Sequence, residues 1–212
     1  MRLFLSSLLI LSFLFSNSQD TIRLKHTEYT TVFSKSLKYP VLVQWWTTKA
    51  KVTCAAPLKR VDSFGPDPML LSETNLLADY KGSGLDRGHV TPAADNLCSG
   101  QKVMAECFYF TNMIPQYHSL NAGDWKTLET LTREIASQKD SVMVWAGAIG
   151  TQSKIGRVSV PTKCWKVIYI KADKAYQCYI FDNNKDKQLG LPSHKISLVE
   201  MEKLTGFKFS IN

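Results

Sequence analysis

Between Asn121 and Gln138 the apolar residues Trp125, Leu128, Leu131 and Ile135 recur at spacings of three and four, the period of a helix with one buried face. Such a helix is stable in water mainly through the surface it packs on. Strands supply that surface. The runs Tyr29 to Phe33, Tyr39 to Thr48, Ser141 to Ile149, Cys164 to Lys171 and Tyr176 to Phe181 are rich in β-branched and aromatic residues. The last two are close enough to form a hairpin around Ala172 to Ala175. The expected fold class is therefore α+β: a largely antiparallel β-sheet with packed helices. Asn121 stands where a helix cap would, and Asp124 lies in the first turn, where negative charge suits the helix dipole. Ser99 to Cys107 is expected to be helical, Phe108 to Asn112 extended, and Leu198 to Leu204 a short helix before Gly206.

A chain of 212 residues, 44% hydrophobic, suits one well-cored domain, read as 20–212. Residues 1–19 read differently. One charge, Arg2, precedes an apolar block from Leu3 to Phe15 broken only by serines, and a polar stretch follows, which is the layout of a signal peptide. The block is shorter than the roughly 18 to 20 residues a bilayer span needs, and no basic cluster follows it. The expectation is an exported protein, periplasmic or secreted, with no membrane anchor in its mature form. Without Arg2 the balance is 25 basic to 18 acidic residues. That excess favours polyanionic partners, although solubility alone also accounts for it. Cys54, Cys98, Cys107, Cys164 and Cys178 contain no CxxC pair, which argues against structural zinc. In an exported chain some can pair, and Cys164 with Cys178, on adjacent predicted strands, is the preferred choice.

Two stretches read as irregular: Pro57 to Pro68 (PLKRVDSFGPDP) and Lys81 to Pro92 (KGSGLDRGHVTP). The second contains Asp86-Arg87-Gly88-His89. An imidazole that titrates near neutrality, a fork-shaped guanidinium and a glycine can together surround a phosphate. Taken alone, such a run is more often a solvated turn. A second segment, Phe108 to Arg133, places Asn112, Gln116, Asn121, Glu129 and Arg133 around the start and one face of the helix. Glu129 and Arg133 lie four apart and can pair, and the ordinary reading of such a pair is a surface ion pair worth a few tenths of a kcal/mol. Trp45, Trp46 and Trp145 are read as core, His26 and His194 as surface residues, and His118 is given no role.

With these segments in view the chain resembles the DNA/RNA non-specific endonuclease family. The resemblance rests on LDRGHVTPAADN (Leu85 to Asn96) and on FTNMIPQ followed by LNAGDWKTLE (Phe110 to Glu129), in the family's order and spacing. KRVDSFGPDP resembles its arginine-bearing loop, and VEMEKLTGFKF resembles its C-terminal helix and strand. The resemblance implies a ββα-metal active site. It makes His89 the general base and Asn121 the direct protein ligand of the metal, Mg²⁺ with Mn²⁺ as a substitute. It implies that Glu129 orients metal-bound water, that Arg87, Arg133 and Arg60 grip phosphate, and that Asn112 is a supporting amide beside Asn121. Asp86 is expected to orient the loop or the arginine. The implied substrates are DNA and RNA, cut with little sequence preference to leave 5′-phosphates. The alternative is a catalytically silent exported nucleic-acid-binding protein of the same fold. Cys98 and Cys107 depart from the family's usual look.

Overall fold

The computed structural model describes residues 20–71 and 77–211; the expected leader lies outside them. Strands β1 (Thr21–Lys25), β2 (Tyr29–Ser34) and β3 (Tyr39–Thr48) form an antiparallel meander. The chain then leaves the sheet. This excursion contains α1 (Lys49–Val52), α2 (Leu77–Tyr80), β4 (Leu85–His89), α3 (Gln101–Glu106), β5 (Met113–Tyr117), α4 (His118–Leu120) and α5 (Lys126–Lys139). It ends where β6 (Ser141–Ile149) returns to pair with β3. A small hairpin of β7 (Ser153–Ile155) and β8 (Val158–Val160) follows, then β9 (Lys163–Ile170), β10 (Ala175–Asp182), β11 (Lys195–Ile196) and α6 (Leu198–Thr205). The main sheet runs β1-β2-β3-β6-β9-β10-β11, antiparallel at every pairing. The arginine-bearing loop, the tetrad and the Phe110 to Glu129 motif thus sit in one excursion between two adjacent strands.

Alternation along the strands divides the core in two. Val142, Val144, Ala146 and Ala148 of β6 and Cys164, Ile168 and Ile170 of β9 pack toward α5, whose Leu128 and Ala136 are fully buried among them. Enclosing Leu128 contributes about 1.5–3 kcal/mol relative to leaving it in water. On the opposite face Trp145, Trp165 and Val167 meet Met201 of α6 and Phe209. Helix α6 begins with a reciprocal Ser197/Glu200 capping box and ends at Gly206 in the left-handed region (φ 74°).

The structure departs from expectation at several points. β4 lies inside the stretch read as irregular, because its pairing with β5 outweighs its glycine and weak strand propensity. Phe110–Asn112 is a 3-10 turn rather than extended, with the Asn112 amide N–H returning to the Tyr109 carbonyl. Asn121 is not a cap: it has helical φ/ψ and lies in a wide turn, Asn121–Trp125, that Gly123 distorts (φ −95°, ψ −119°) before α5 begins. Residues 207–211 form no strand; Phe207 and Phe209 instead pack on Trp165. His26 is buried against Asp67 at 3.1 Å, and His194 is half-buried with Nε2 2.9 Å from Asp124. Trp45 and Trp145 are core, whereas Trp46 is half-exposed.

The cysteine pairing also differs. Cys54 is bonded to Cys98, and Cys164 and Cys178 are free and buried. β9 and β10 are indeed neighbours, but Cys164 faces Phe181 and Cys178 faces Val167 across the register, and the two thiols belong to opposite faces of the sheet. Cys107 is a third buried free thiol. The Cys54–Cys98 bridge closes a loop of 44 residues that contains Arg60 and the tetrad. Replacing both cysteines by serine is predicted to cost about 2–4 kcal/mol in chemical unfolding, with the unfolded chain losing that loop constraint. Peptide mapping without reduction should return Cys54 joined to Cys98; a Cys164–Cys178 peptide would contradict the arrangement.

Candidate active site

The tetrad is the strand β4, and its register with β5 sets Asp86 opposite Gln116 and His89 opposite Met113. Arg87 and His89, two residues apart, leave one face of the strand. Both meet the ring of Phe64 from the irregular Pro57–Pro68 loop: the Arg87 guanidinium lies 4.3 Å above it, and the His89 ring is tilted at 5.5 Å. Phe108 closes edge-on to His89 at 4.8 Å and carries the Arg60 guanidinium 5.3 Å over its other reach. Gly88 is obligatory here, because a Cβ would lie 1.8 Å from Oε1 of the fully buried Gln116. The tetrad's glycine is thus explained by packing.

Asp86 leaves the opposite side of β4 and reaches the turn that follows β5. Its Oδ2 accepts from Asn121 Nδ2 at 2.9 Å and contacts His118 Nδ1 at 2.8 Å. A carboxylate only accepts, so the Asn121 nitrogen must face it, and the amide oxygen is the atom left to meet a cation. This corrects the expected role of Asp86, whose carboxylate steadies the asparagine rather than the arginine. His118, assigned no role from sequence, belongs to the same cluster. The strand and the turn are joined again by Trp125, whose indole N–H donates to the His89 carbonyl at 3.2 Å.

One turn beyond Trp125, Glu129 points into the helix–sheet interface. Its expected pairing with Arg133 is not the arrangement found: Arg133 binds Asp95 at 3.2 Å and Thr130 at 3.0 Å, while Glu129 lies 3.9 Å from Lys166 of β9. Asp95 is buried and also accepts from Thr47 and Trp45. Asn112 was expected as a supporting amide beside Asn121. Its amide is fully buried and committed to backbone, accepting from the Thr91 N–H and donating to the Thr91 and Cys107 carbonyls. It ties the segment after His89 to the end of α3 and shares no hydrogen bond with Asn121 among the described residues. Arg60 is exposed, with Asp62 at 2.7 Å. Asp95, Lys166, Phe64 and Phe108 are participants that the sequence reading missed; Lys166 had a signal, a lysine interrupting the apolar run of β9.

The electrostatics separate the two titratable groups. Burial pushes the His89 pKa down to about 3, helped by the positive charges of Arg60 and Arg87 and opposed by Asp62, so the imidazole is neutral at physiological pH. Its Nε2 is buried and has no hydrogen-bond partner among the described residues. Burial raises Glu129 to about 7; Lys166 and Arg133 pull it down, and Asp95 pushes it further up. A neutral imidazole can accept a proton, and a carboxylate titrating near neutrality can order a water. Among the described residues no three His, Cys, Asp or Glu side chains cluster to cage a metal. The Asn121 amide oxygen fits one kind of ion: a hard cation that keeps most of its waters.

The sequence profile of the DNA/RNA non-specific endonuclease family matches residues 7–212. Mitochondrial nuclease EXOG of Xenopus laevis is 34% identical over 69% of this chain and 46% of its own length. Nuclease C1 of Cunninghamella echinulata is 36% identical over 68% of this chain and 64% of its own. The chain therefore spans about half to two thirds of the length of these relatives. A chain in the crystal structure of the EndoG/EndoGI complex superposes with a TM-score of 0.81 over 88% of this chain and 84% of that one, at 24% identity, which is a likeness of fold.

The two environments are separable by side-chain NMR. With ¹³C-labelled Glu and His, Glu129 should titrate at about 7 and the His89 ring should stay neutral from pH 5 to 9. A His89 resonance titrating near 6.5 would contradict the burial and the arginine field described above.

Proposed function

The chain belongs to the DNA/RNA non-specific endonuclease family, and from that membership and the site's geometry we propose that it is a metal-dependent nuclease hydrolysing DNA and RNA phosphodiesters. The observation that carries this reading is the Asp86–Asn121 hydrogen bond, which turns an otherwise free amide into an oriented oxygen donor on the turn beside the histidine strand. Asn121 would hold Mg²⁺, or Mn²⁺ in its place, and the ion when bound would neutralise phosphate charge and stabilise the departing 3′ oxygen.

His89 takes the proton from the attacking water through its unpartnered Nε2. Its depressed basicity in the free site comes first from burial and then from the positive charges of Arg60 and Arg87. A phosphate entering between those arginines supplies the missing anion and raises the basicity of the ring as the reaction begins. Arg87 and Arg60 hold non-bridging oxygens, and Arg133, fixed by Asp95, adds positive potential from the helix side. Glu129, in its charged form, orients water at the cation. Products would carry 5′-phosphates. All of these groups address phosphate and none a base edge, so cleavage with little sequence preference follows. The expected leader and the Cys54–Cys98 bridge both support export, since disulfides persist in oxidising compartments.

On supercoiled plasmid and on RNA with Mg²⁺, the protein should cut both, and chelation should abolish cutting. His89→Ala should lose about 10²–10⁴-fold in rate. Asp86→Ala should lose about 10–100-fold and need more Mg²⁺, because the Asn121 amide is no longer held. Binding without cleavage under any divalent ion would instead support the silent nucleic-acid-binding alternative.

A further inference from the structure

The middle of β9 carries a lysine on the face that its neighbours Cys164 and Ile168 use for the core. Lys166 is 1% exposed. A buried ammonium is retained at a cost unless it is paired, so its surroundings indicate what it serves. It lies 4.1 Å from the Trp125 ring and 5.9 Å from the Trp45 ring, with the Glu129 carboxylate at 3.9 Å. The other charged or titratable groups that face it are Asp95 from the 3-10 turn Ala93–Asn96, Arg133 from α5 and Cys164 from its own strand. Asp95 already accepts from Arg133, Thr47 and Trp45. The two cations and two carboxylates beneath α5 therefore sort into Arg133 with Asp95 and Lys166 with Glu129.

We propose that Lys166 is a positioning residue for the reaction, supplying from inside the sheet the countercharge that keeps the Glu129 carboxylate charged and in place. The inference rests on the reading of Glu129 as the residue that orders water in the site. Lys166 touches neither substrate nor cation. It acts through Glu129, and through Trp125, whose indole face it supports while the N–H of that ring holds the His89 carbonyl. The sign is fixed by the geometry. A neighbouring ammonium favours the charged carboxylate, so without it Glu129 holds its proton to higher pH, and the site is active only above that point.

The test is the pH dependence of kcat at saturating Mg²⁺ and saturating DNA for wild type, Lys166→Met, Lys166→Gln and Glu129→Gln. Near-UV circular dichroism and thermal midpoints are measured alongside. Methionine matches the length of the lysine stem and suits a core, and glutamine serves if methionine does not fold. The expected result is that the acid limb in both Lys166 variants moves up by about one pH unit. KM should stay within about twofold, and the rate should recover above the displaced limb. Adding Lys166→Met to Glu129→Gln should then cost little more. An acid limb that stays at its wild-type position in folded Lys166 variants, while Glu129→Gln has lost it, overturns the inference and leaves the role of Glu129 intact. A fully active Glu129→Gln overturns the reading of Glu129, and the inference with it.

Discussion

The indole of Trp125 is the contact through which the sheet, the helix and the tetrad strand are made into one object. Its N–H holds the main-chain carbonyl of His89, its face rests on Lys166 of β9, and its edge meets Phe181 of β10. β4 belongs to a two-stranded sheet separate from the main one. Its position is set by this tie together with the Asp86–Asn121 bond and the bonds of β5 to Cys164 and Asn183. The excursion between β3 and β6 is thus fixed to the rigid sheet at its chemical centre, as suits a site whose groups must be held to fractions of an ångström.

Around that tie the charges are distributed with little redundancy. Asp86 is spent on Asn121 and His118, Asp95 on Arg133 and the Trp45/Thr47 pair, and Glu129 faces Lys166. His89 and Arg60 face the open side, with Arg87 beside them over the Phe64 ring. A phosphate entering here would meet the neutral imidazole of His89 and the Arg87 guanidinium, with the exposed Arg60 paired to Asp62. Basic residues elsewhere on the chain add long-range attraction without specifying a sequence.

Much of this was legible in the sequence because it depends on local pattern. The stripe Trp125, Leu128, Leu131, Ile135 marked α5, and β-branched alternation marked β2, β3, β6, β9 and β10 with small errors at their ends. His89 and Asn121 were singled out by resemblance of motif. What was missed depends on contacts across the fold. No local rule pairs Arg133 with Asp95, 38 residues away, in preference to Glu129 one turn away. None tells Cys54 to choose Cys98, and none shows that Asn112 is consumed by the backbone of Thr91 and Cys107. The irregular reading of the tetrad failed for the same reason, since β4 is a strand only because β5 pairs with it. Lys166 was visible as an oddity in an apolar run, yet its partner could not be named until β9 was seen to lie under α5.

In the proposed function Asn121, held by Asp86, is the foothold of a divalent cation beside the histidine strand. Titrating Mn²⁺ into ¹⁵N-labelled protein tests it directly through paramagnetic broadening. The side-chain amide of Asn121 and the Trp125 indole should broaden at the lowest Mn²⁺, and the effect should weaken in Asp86→Ala. Broadening centred on another part of the surface, with the Asn121 amide still sharp, would contradict the account.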